Sequence, residues 1–307
     1  MKKSIKQLFM LIGMLVALLL IWTVSSLFGR GRRIIGGETR VLHETSESIQ
    51  GIENIRIDLG SEGVKVEFAD TQEVVVKHSS NRDIGNGREV MVKRNQNTLV
   101  ISRARNFSFS FSFMNFEFGD WQTQREYIEV VIPRSYANDY LLDMSSGSIE
   151  VEGILLGRDI GIDLSSGKID IPNIEAERIK IETTSGAVFL GEVTAEKTFV
   201  DLSSGKVRIQ ELKSEEISID VMSGDVQIDN KQMPNVIKID TSSGSVKLSL
   251  PENEGFQIAY DMTSGSLTNE FTGNRLSREG VETYKNVEGP VYEVEVMSGS
   301  VKFLKSE

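Results

Sequence analysis

Apolar and polar positions alternate along most of this chain, and the alternation is punctuated by a recurring Ser-Gly step. Before Ser166-Gly167 stand Ile162 and Leu164, and after it Ile169 and Ile171. Val200, Leu202, Val207 and Ile209 frame Ser204-Gly205, and Ile219, Val221, Val226 and Ile228 frame Ser223-Gly224. Near the C-terminus Val294, Val296, Val301 and Phe303 do the same around Ser298-Gly299. A period of two predicts strands with one buried face, and the Ile/Val enrichment agrees. The Ser-Gly step between two such strands reads as a tight turn, with glycine expected to supply a left-handed conformation. A second corner follows, as in Pro172–Glu177 or Glu211–Glu215.

The step recurs at Gly147, Gly167, Gly186, Gly205, Gly224, Gly244, Gly265 and Gly299, at spacings of 20, 19, 19, 19, 20, 21 and 34 residues. One strand-turn-strand unit cannot bury its apolar face alone, whereas stacked copies bury a continuous core. The expected fold is therefore all-β, a single-domain β-solenoid of rungs about 19 residues long, like a β-helix; a propeller needs blades of about 40. Eight rungs at about 4.8 Å make a rod of roughly 35–40 Å.

The N-terminal end differs. Leu8 to Phe28 carries no charge, and a run of this length matches a hydrocarbon core about 30 Å thick. Residues 1–33 are read as a transmembrane anchor with basic flanks, a cleaved signal peptide being the rival. Arg30, Arg32 and Arg33 balance Lys2, Lys3 and Lys6, so the charge bias does not fix the orientation. A lone N-terminal span before a β-rich domain places that domain outside the cytoplasm, giving a single-pass protein of the cell membrane. Residues 34–50 are read as a linker and 51–139 as a β segment that starts or caps the solenoid. Residues 140–307 hold the repeats, with an inserted loop over 270–289 and a last rung, Tyr292–Phe303, that closes the rod.

Within the β segment, Phe107, Phe109, Phe111 and Phe113 alternate with serine, and Phe116, Phe118 and Trp121 follow. A hairpin packing its Phe face on the solenoid explains this pattern; an exposed aromatic edge for a membrane or partner is the alternative.

Charge narrows the function. Of 34 basic residues six lie in residues 1–33 with no acid among them, which leaves 28 against 45 acidic ones, a net −17 for residues 34–307. Nucleic acid is excluded as a partner, and anionic wall polymers are repelled unless cations intervene. With no cysteine there are no disulfides or thiolate metal sites. Four residues before each repeat glycine stands an acid: Asp143, Asp163, Glu182, Asp201, Asp220, Asp240, Asp261 and Glu295. Stacking lines them up, and like charges opposite one another destabilise. The turn hydroxyls and amides, with Lys168, Lys206, Lys247 and Lys302, are expected to offset them. A row of calcium ions is the rival reading, though the Gly-Gly-x-Gly-x-Asp loop of calcium-binding repeat rolls is missing. Eight equivalent serines with no base beside them are a turn ladder rather than nucleophiles, and the two histidines, His43 and His78, precede the repeats. No catalytic, metal or cofactor residues are assigned, and the binding residues stay open.

The Asp-φ-Ser-Ser-Gly-x-φ-x-φ units of residues 140–303 resemble a bacterial family of adhesin-like proteins built from β-strand repeats. The layout, with its single N-terminal span, is similar to the LiaG-type membrane-anchored proteins of the Lia cell-envelope stress operon. The resemblance implies a membrane-anchored, extracytoplasmic, non-enzymatic protein that binds or scaffolds at the cell envelope, with a wall polymer or an envelope protein as partner and a role in envelope stress. A glycan-acting enzyme and a signalling partner of a membrane sensor are the rivals.

Overall fold

The computed structural model describes residues 40–81, 89–103, 126–286 and 288–306. The expected anchor lies outside the described residues, among which no helix is long and apolar enough to cross a membrane. The described part belongs to one compact unit, Thr39–Glu307, and every regular element in it is a strand.

Each repeat rung has two strands joined at its Ser-Gly corner, and each strand finds its partners one rung away, in parallel and in register. Glu182 pairs Asp201, and Asp201 pairs Asp220; across the corner Val188 pairs Ile169 and Val207. In the middle of the stack the second strand runs through the second corner into the next rung, giving the 16-residue strands Lys168–Thr183, Ala187–Leu202 and Lys206–Val221. There Ile154–Leu156, Asn173–Glu175 and Glu192–Thr194 form a third, short parallel ladder. The period-two pattern holds: Leu164, Ile169, Ile181, Val188, Leu202, Val207, Val221 and Ile228 are all fully buried. At about 1.5–3 kcal/mol for each aliphatic side chain removed from water, every added rung strengthens the same continuous core.

The order of rungs in space is not their order in the chain. The stack holds ten rungs, two of them from the segment before the repeats. The first in sequence, Asn54–Leu59 with Gly63–Ala69, lies inside the stack: it pairs the rung of Asp139–Met144 on one side and the rung of Thr98–Arg103 with Glu126–Pro133 on the other. The C-terminal end mirrors this. Val291–Val296 and Ser300–Lys305 insert between the rung of Val236–Thr241 and that of Phe256–Met262. The last rung in sequence therefore does not close the rod, contrary to the linear reading. The chain skips one slot, builds the end rung and its cap, and returns to fill the slot.

Both ends are closed by antiparallel strands, which stop the parallel edges from recruiting another chain. At the C-terminal end the caps come from the inserted segment: Asn274–Leu276 pairs Ser266–Asn269, and Glu279–Tyr284 pairs Phe256–Met262. Beneath them Phe256 packs edge-on to Phe271 at 5.2 Å and lies 5.4 Å from the ring of Tyr292, and the Tyr292 hydroxyl donates to the Pro234 carbonyl at 2.9 Å. At the other end Val90–Asn95 covers Thr98–Arg103, and Glu73–Ser80 covers Glu126–Pro133. Arg40–Ser48 extends that cap by pairing Glu73–Ser80. This corrects the linker assignment of residues 34–50, since residues 40–48 are a strand: their alternation is polar because an end strand buries little.

Residues 104–125, which contain the Phe/Ser run, stand in the chain between the two strands of the end rung, where the repeat rungs have a Ser-Gly corner; the run itself lies outside the described residues. The bases of this connection are tied together. Arg103 bridges Glu62 and Glu126, and His78, fully buried, sets Nε2 2.7 Å from Glu126 Oε1. Its Nδ1 accepts the Val90 N–H at 3.1 Å, so the Nε2 proton points at the carboxylate. Burial raises the Glu126 pKa, but the hydrogen bond from His78 and the charge of Arg103 outweigh it and hold the carboxyl below its usual range.

Removing residues 291–307 takes out an interior rung. Native-state hydrogen exchange should then show protection lost in Val236–Thr241 and Ser245–Leu250 on one side and in Phe256–Met262 and Ser266–Asn269 on the other, the four strands that lose a partner. Loss on only one side would contradict the order of rungs.

Candidate functional site

The Ser-Gly corners form a continuous edge along the stack. Each corner hydrogen-bonds to the one before it: Ser166 N–H donates to Ser145 O at 2.8 Å, and Lys168 N–H to Gly147 O at 3.0 Å. The same pattern joins Ser204 to Thr184 and Lys206 to Gly186. Among the eight repeat glycines only Gly167, at φ +112°, has a left-handed backbone, so the sequence-based reason for glycine is corrected. The requirement is space. A Cβ on Gly224 would stand 2.6 Å from the Gly205 carbonyl oxygen, and one on Gly265 would stand 2.6 Å from that of Gly299.

The serines before these glycines bond along the stack, not to the acids. Ser185 Oγ donates to Ser165 O at 3.1 Å, Ser204 Oγ to Thr184 O at 3.1 Å, and Ser223 Oγ to Ser203 O at 3.0 Å. The acids do stack, as their spacing indicates, and the row is longer than the repeats alone. It runs Asp58, Asp143, Asp163, Glu182, Asp201, Asp220, Asp240, Glu295, Asp261, and Glu279 of the cap pairs Asp261. Two cations offset part of it. Arg56 lies 2.6 Å from Asp143 and 3.2 Å from Asp58, and Lys180 lies 2.8 Å from Glu182. Sequence reasoning missed both, although each stands two residues before an acid on its own strand and so shares its face. The lysines expected to do this work lie beyond the corner, on the following strand; Lys168 is paired there with Asp170 at 2.7 Å. Asp201, Asp220, Asp240, Asp261 and Glu295 make no ion pair among the described residues. Partial burial, with the facing carboxylates Asp143 and Glu182, pushes the Asp163 carboxyl up, and burial with Asp240 and Asp201 does the same at Asp220. Among the described residues no group of three or more His, Asp or Glu side chains is arranged to hold a metal ion.

Over the C-terminal rungs the edge opens into a groove of 380 Å³, lined by the Ser-Gly corners of four stacked rungs and by Arg275 of the cap. Its cause is local. The residue after the glycine is Lys168, Ala187 and Lys206 in the middle rungs but Asp225, Ser245, Ser300 and Ser266 in the last four, in spatial order. Loss of the long side chains leaves a hollow walled by hydroxyls. Sequence reasoning did not single this out, though the change of residue type is visible in the repeat.

The Toastrack DUF4097 family model matches residues 52–303, the whole span of the stack. The chain belongs to this family. Solved structures show the same toastrack fold at low identity. One is a "putative adhesin" from Parabacteroides distasonis, with a TM-score of 0.54 and 12% identity, covering 87% of this chain and 98% of that one. Another, of the same description, comes from Bacteroides fragilis, with a TM-score of 0.52 and 13% identity over 87% and 97% of the two chains. A third, from Parabacteroides distasonis, is described as a "putative lipid binding protein", with a TM-score of 0.51, 14% identity and coverage of 89% and 98%. No curated protein matches. At these identities the likeness extends to the fold alone.

Two outcomes follow from the toastrack edge. Gly224→Ala should destabilise the protein by about 1–3 kcal/mol through overpacking, read as a lower urea midpoint. Gly60→Ala, whose Cβ meets nothing closer than 3.5 Å, should cost less. At Asp220 the folded pKa is raised, so the native state holds its proton more tightly than the unfolded chain. Stability is therefore lost as pH rises through the carboxylate range, and the penalty is complete at neutral pH. Asp220→Asn should raise stability at pH 7 by a few tenths of a kcal/mol, a size set by solvent screening at this exposed site. The gain should shrink as pH falls through the carboxylate range and Asp220 takes up its proton; a gain that persists in acid would mean that charge is not its source.

Proposed function

We propose that this toastrack protein is a membrane-anchored, extracytoplasmic binding module of the cell envelope and not an enzyme. The observation that carries the reading is the equivalence of the corners. Eight near-identical Ser-Gly corners stacked at one spacing make an extended surface that repeats, which suits a ligand or scaffold that also repeats. An active site is a singular arrangement, whereas here the Ser-Gly step recurs from corner to corner. The adhesin and lipid-binding names of the solved toastrack structures support a binding role in kind. The uncharged run Leu8–Phe28 would tether the stack as a single span, with its length matched to the bilayer. The resemblance to the anchored Lia-type proteins supports a place in the envelope-stress response.

The test is protease accessibility of a C-terminal tag on intact, wall-stripped cells, with the membrane fraction probed for the full-length chain. Cleavage from outside, on a protein that retains residues 1–28, is the expected result. Protection until the cells are lysed would put the stack in the cytoplasm and overturn the proposal.

A further inference from the structure

Beyond the corner, on the second strand of each rung, one outward-facing row changes character along the stack. In the middle rungs it reads Glu150, Asp170, Phe189. Towards the C-terminal end it becomes Arg208, Gln227, Lys247, Lys302, Thr268 and, on the cap strand, Arg275, each paired in register with the next. The four cations are exposed, and none makes an ion pair among the described residues. Lys247 and Lys302 are direct cross-strand partners, an arrangement that costs stability because like charges face each other about 4.8 Å apart. Nearby acids do not relieve it. Asp229 is held by Lys231 at 3.1 Å and by the Ser306 hydroxyl at 2.9 Å, and Glu270 Oε2 accepts the Lys305 N–H at 3.3 Å.

This row borders the hydroxyl-lined groove. Ser245 and Ser300 stand two residues before Lys247 and Lys302 on the same strands and line the groove, and Arg275 belongs to both groove and row. The groove contains one carboxylate, Asp225, at its inner end. We infer that the C-terminal rungs form a binding site for a linear anionic polyol or saccharide chain: the hydroxyls of the groove bond to its hydroxyls, while Lys247, Lys302 and Arg275 take its negative groups. Charge-assisted bonds from three cations that make no ion pair among the described residues supply the attraction, and the serines repeating at every rung of the groove match a ligand whose own groups repeat. The net −17 of residues 34–307 repels such a chain only at a distance. With a screening length of about 8 Å, the local row decides what happens at contact.

The inference rests on the binding role proposed above and names its ligand class. The test is calorimetry on the full-length protein in a neutral detergent, with three probes: a glycerol-phosphate oligomer, an oligogalacturonate and neutral maltohexaose. At least one anionic probe should bind about tenfold or more tightly than maltohexaose, and the affinity should fall as salt is raised. Which of the two binds assigns the charge to phosphate or to carboxylate. Lys247→Gln combined with Lys302→Gln should weaken that binding about tenfold while raising the thermal midpoint by about 1–2 °C, because the like-charge pair is gone. Lys168→Gln, which removes a lysine already paired with Asp170, should leave binding unchanged. Equal binding of maltohexaose, no binding of either anionic probe, or unchanged affinity in the double variant would overturn the site. Retention of isolated cell-envelope fragments by a protein that ignores both anionic probes would leave the binding role standing and remove this site alone; failure to retain the fragments as well would remove both.

Discussion

The structure depends on how closely two rungs can approach at the Ser-Gly corner. Strands on either side of the corner can pair with the neighbouring rung only if the corners also nest, and the carbonyl of one glycine then sits where the Cβ of the next would be. Glycine is needed there for clearance. The serine before it completes the contact by donating its hydroxyl to the carbonyl one rung away, so the corner's polar groups are satisfied along the stack axis. Nesting fixes the register, and the register fixes everything that runs along the stack: the buried Ile/Val rows, the acid row and the cation row.

A stack built this way has two raw ends, and the chain handles both alike. The first and last rungs in sequence are held inside the stack, each covered by a rung from further inside the sequence, which is itself covered by antiparallel strands. A terminal rung at the physical end would have one pairing partner and fray easily; placed inside, it has two. The arrangement makes the ends depend on long-range pairing, so the C-terminal residues Tyr292 and Phe303 complete the aromatic cluster under the cap.

The repeating part of this fold was legible in the residues. Alternation gave the strands, the 19-residue period gave the stack, and parity put the acids in one row on the outer face. The rung order was not legible, because the 34-residue step before Gly299 reads equally as a loop in a linear stack or as a detour around a skipped slot. Only pairing partners distinguish the two. The strand Arg40–Ser48 was missed because a cap strand with one partner needs no apolar row. The acids' true partners, Arg56 and Lys180, were hidden for another reason. Proximity in the repeat favoured Lys168 and Lys206, but the corner turns those lysines onto the other strand, while a residue two positions earlier on the same strand keeps its face.

The same geometry separates charge by side of the corner. Nine carboxylates follow one another along the strand before it, while Arg208, Lys247 and Lys302 stand along the strand after it, with Arg275 of the cap continuing their row. Each row costs stability through in-register repulsion. A fold that needed only to stack could alternate the signs from rung to rung, as Lys65 does in register between Glu129 and Glu150. Where Lys247 faces Lys302 the chain forgoes that relief beside the hydroxyl-lined groove. Residues that merely keep a protein soluble have no need to be collected on one strand row. Unrelieved repulsion at the Lys247–Lys302 step, adjoining a groove, is what a surface kept open for an oppositely charged ligand would show.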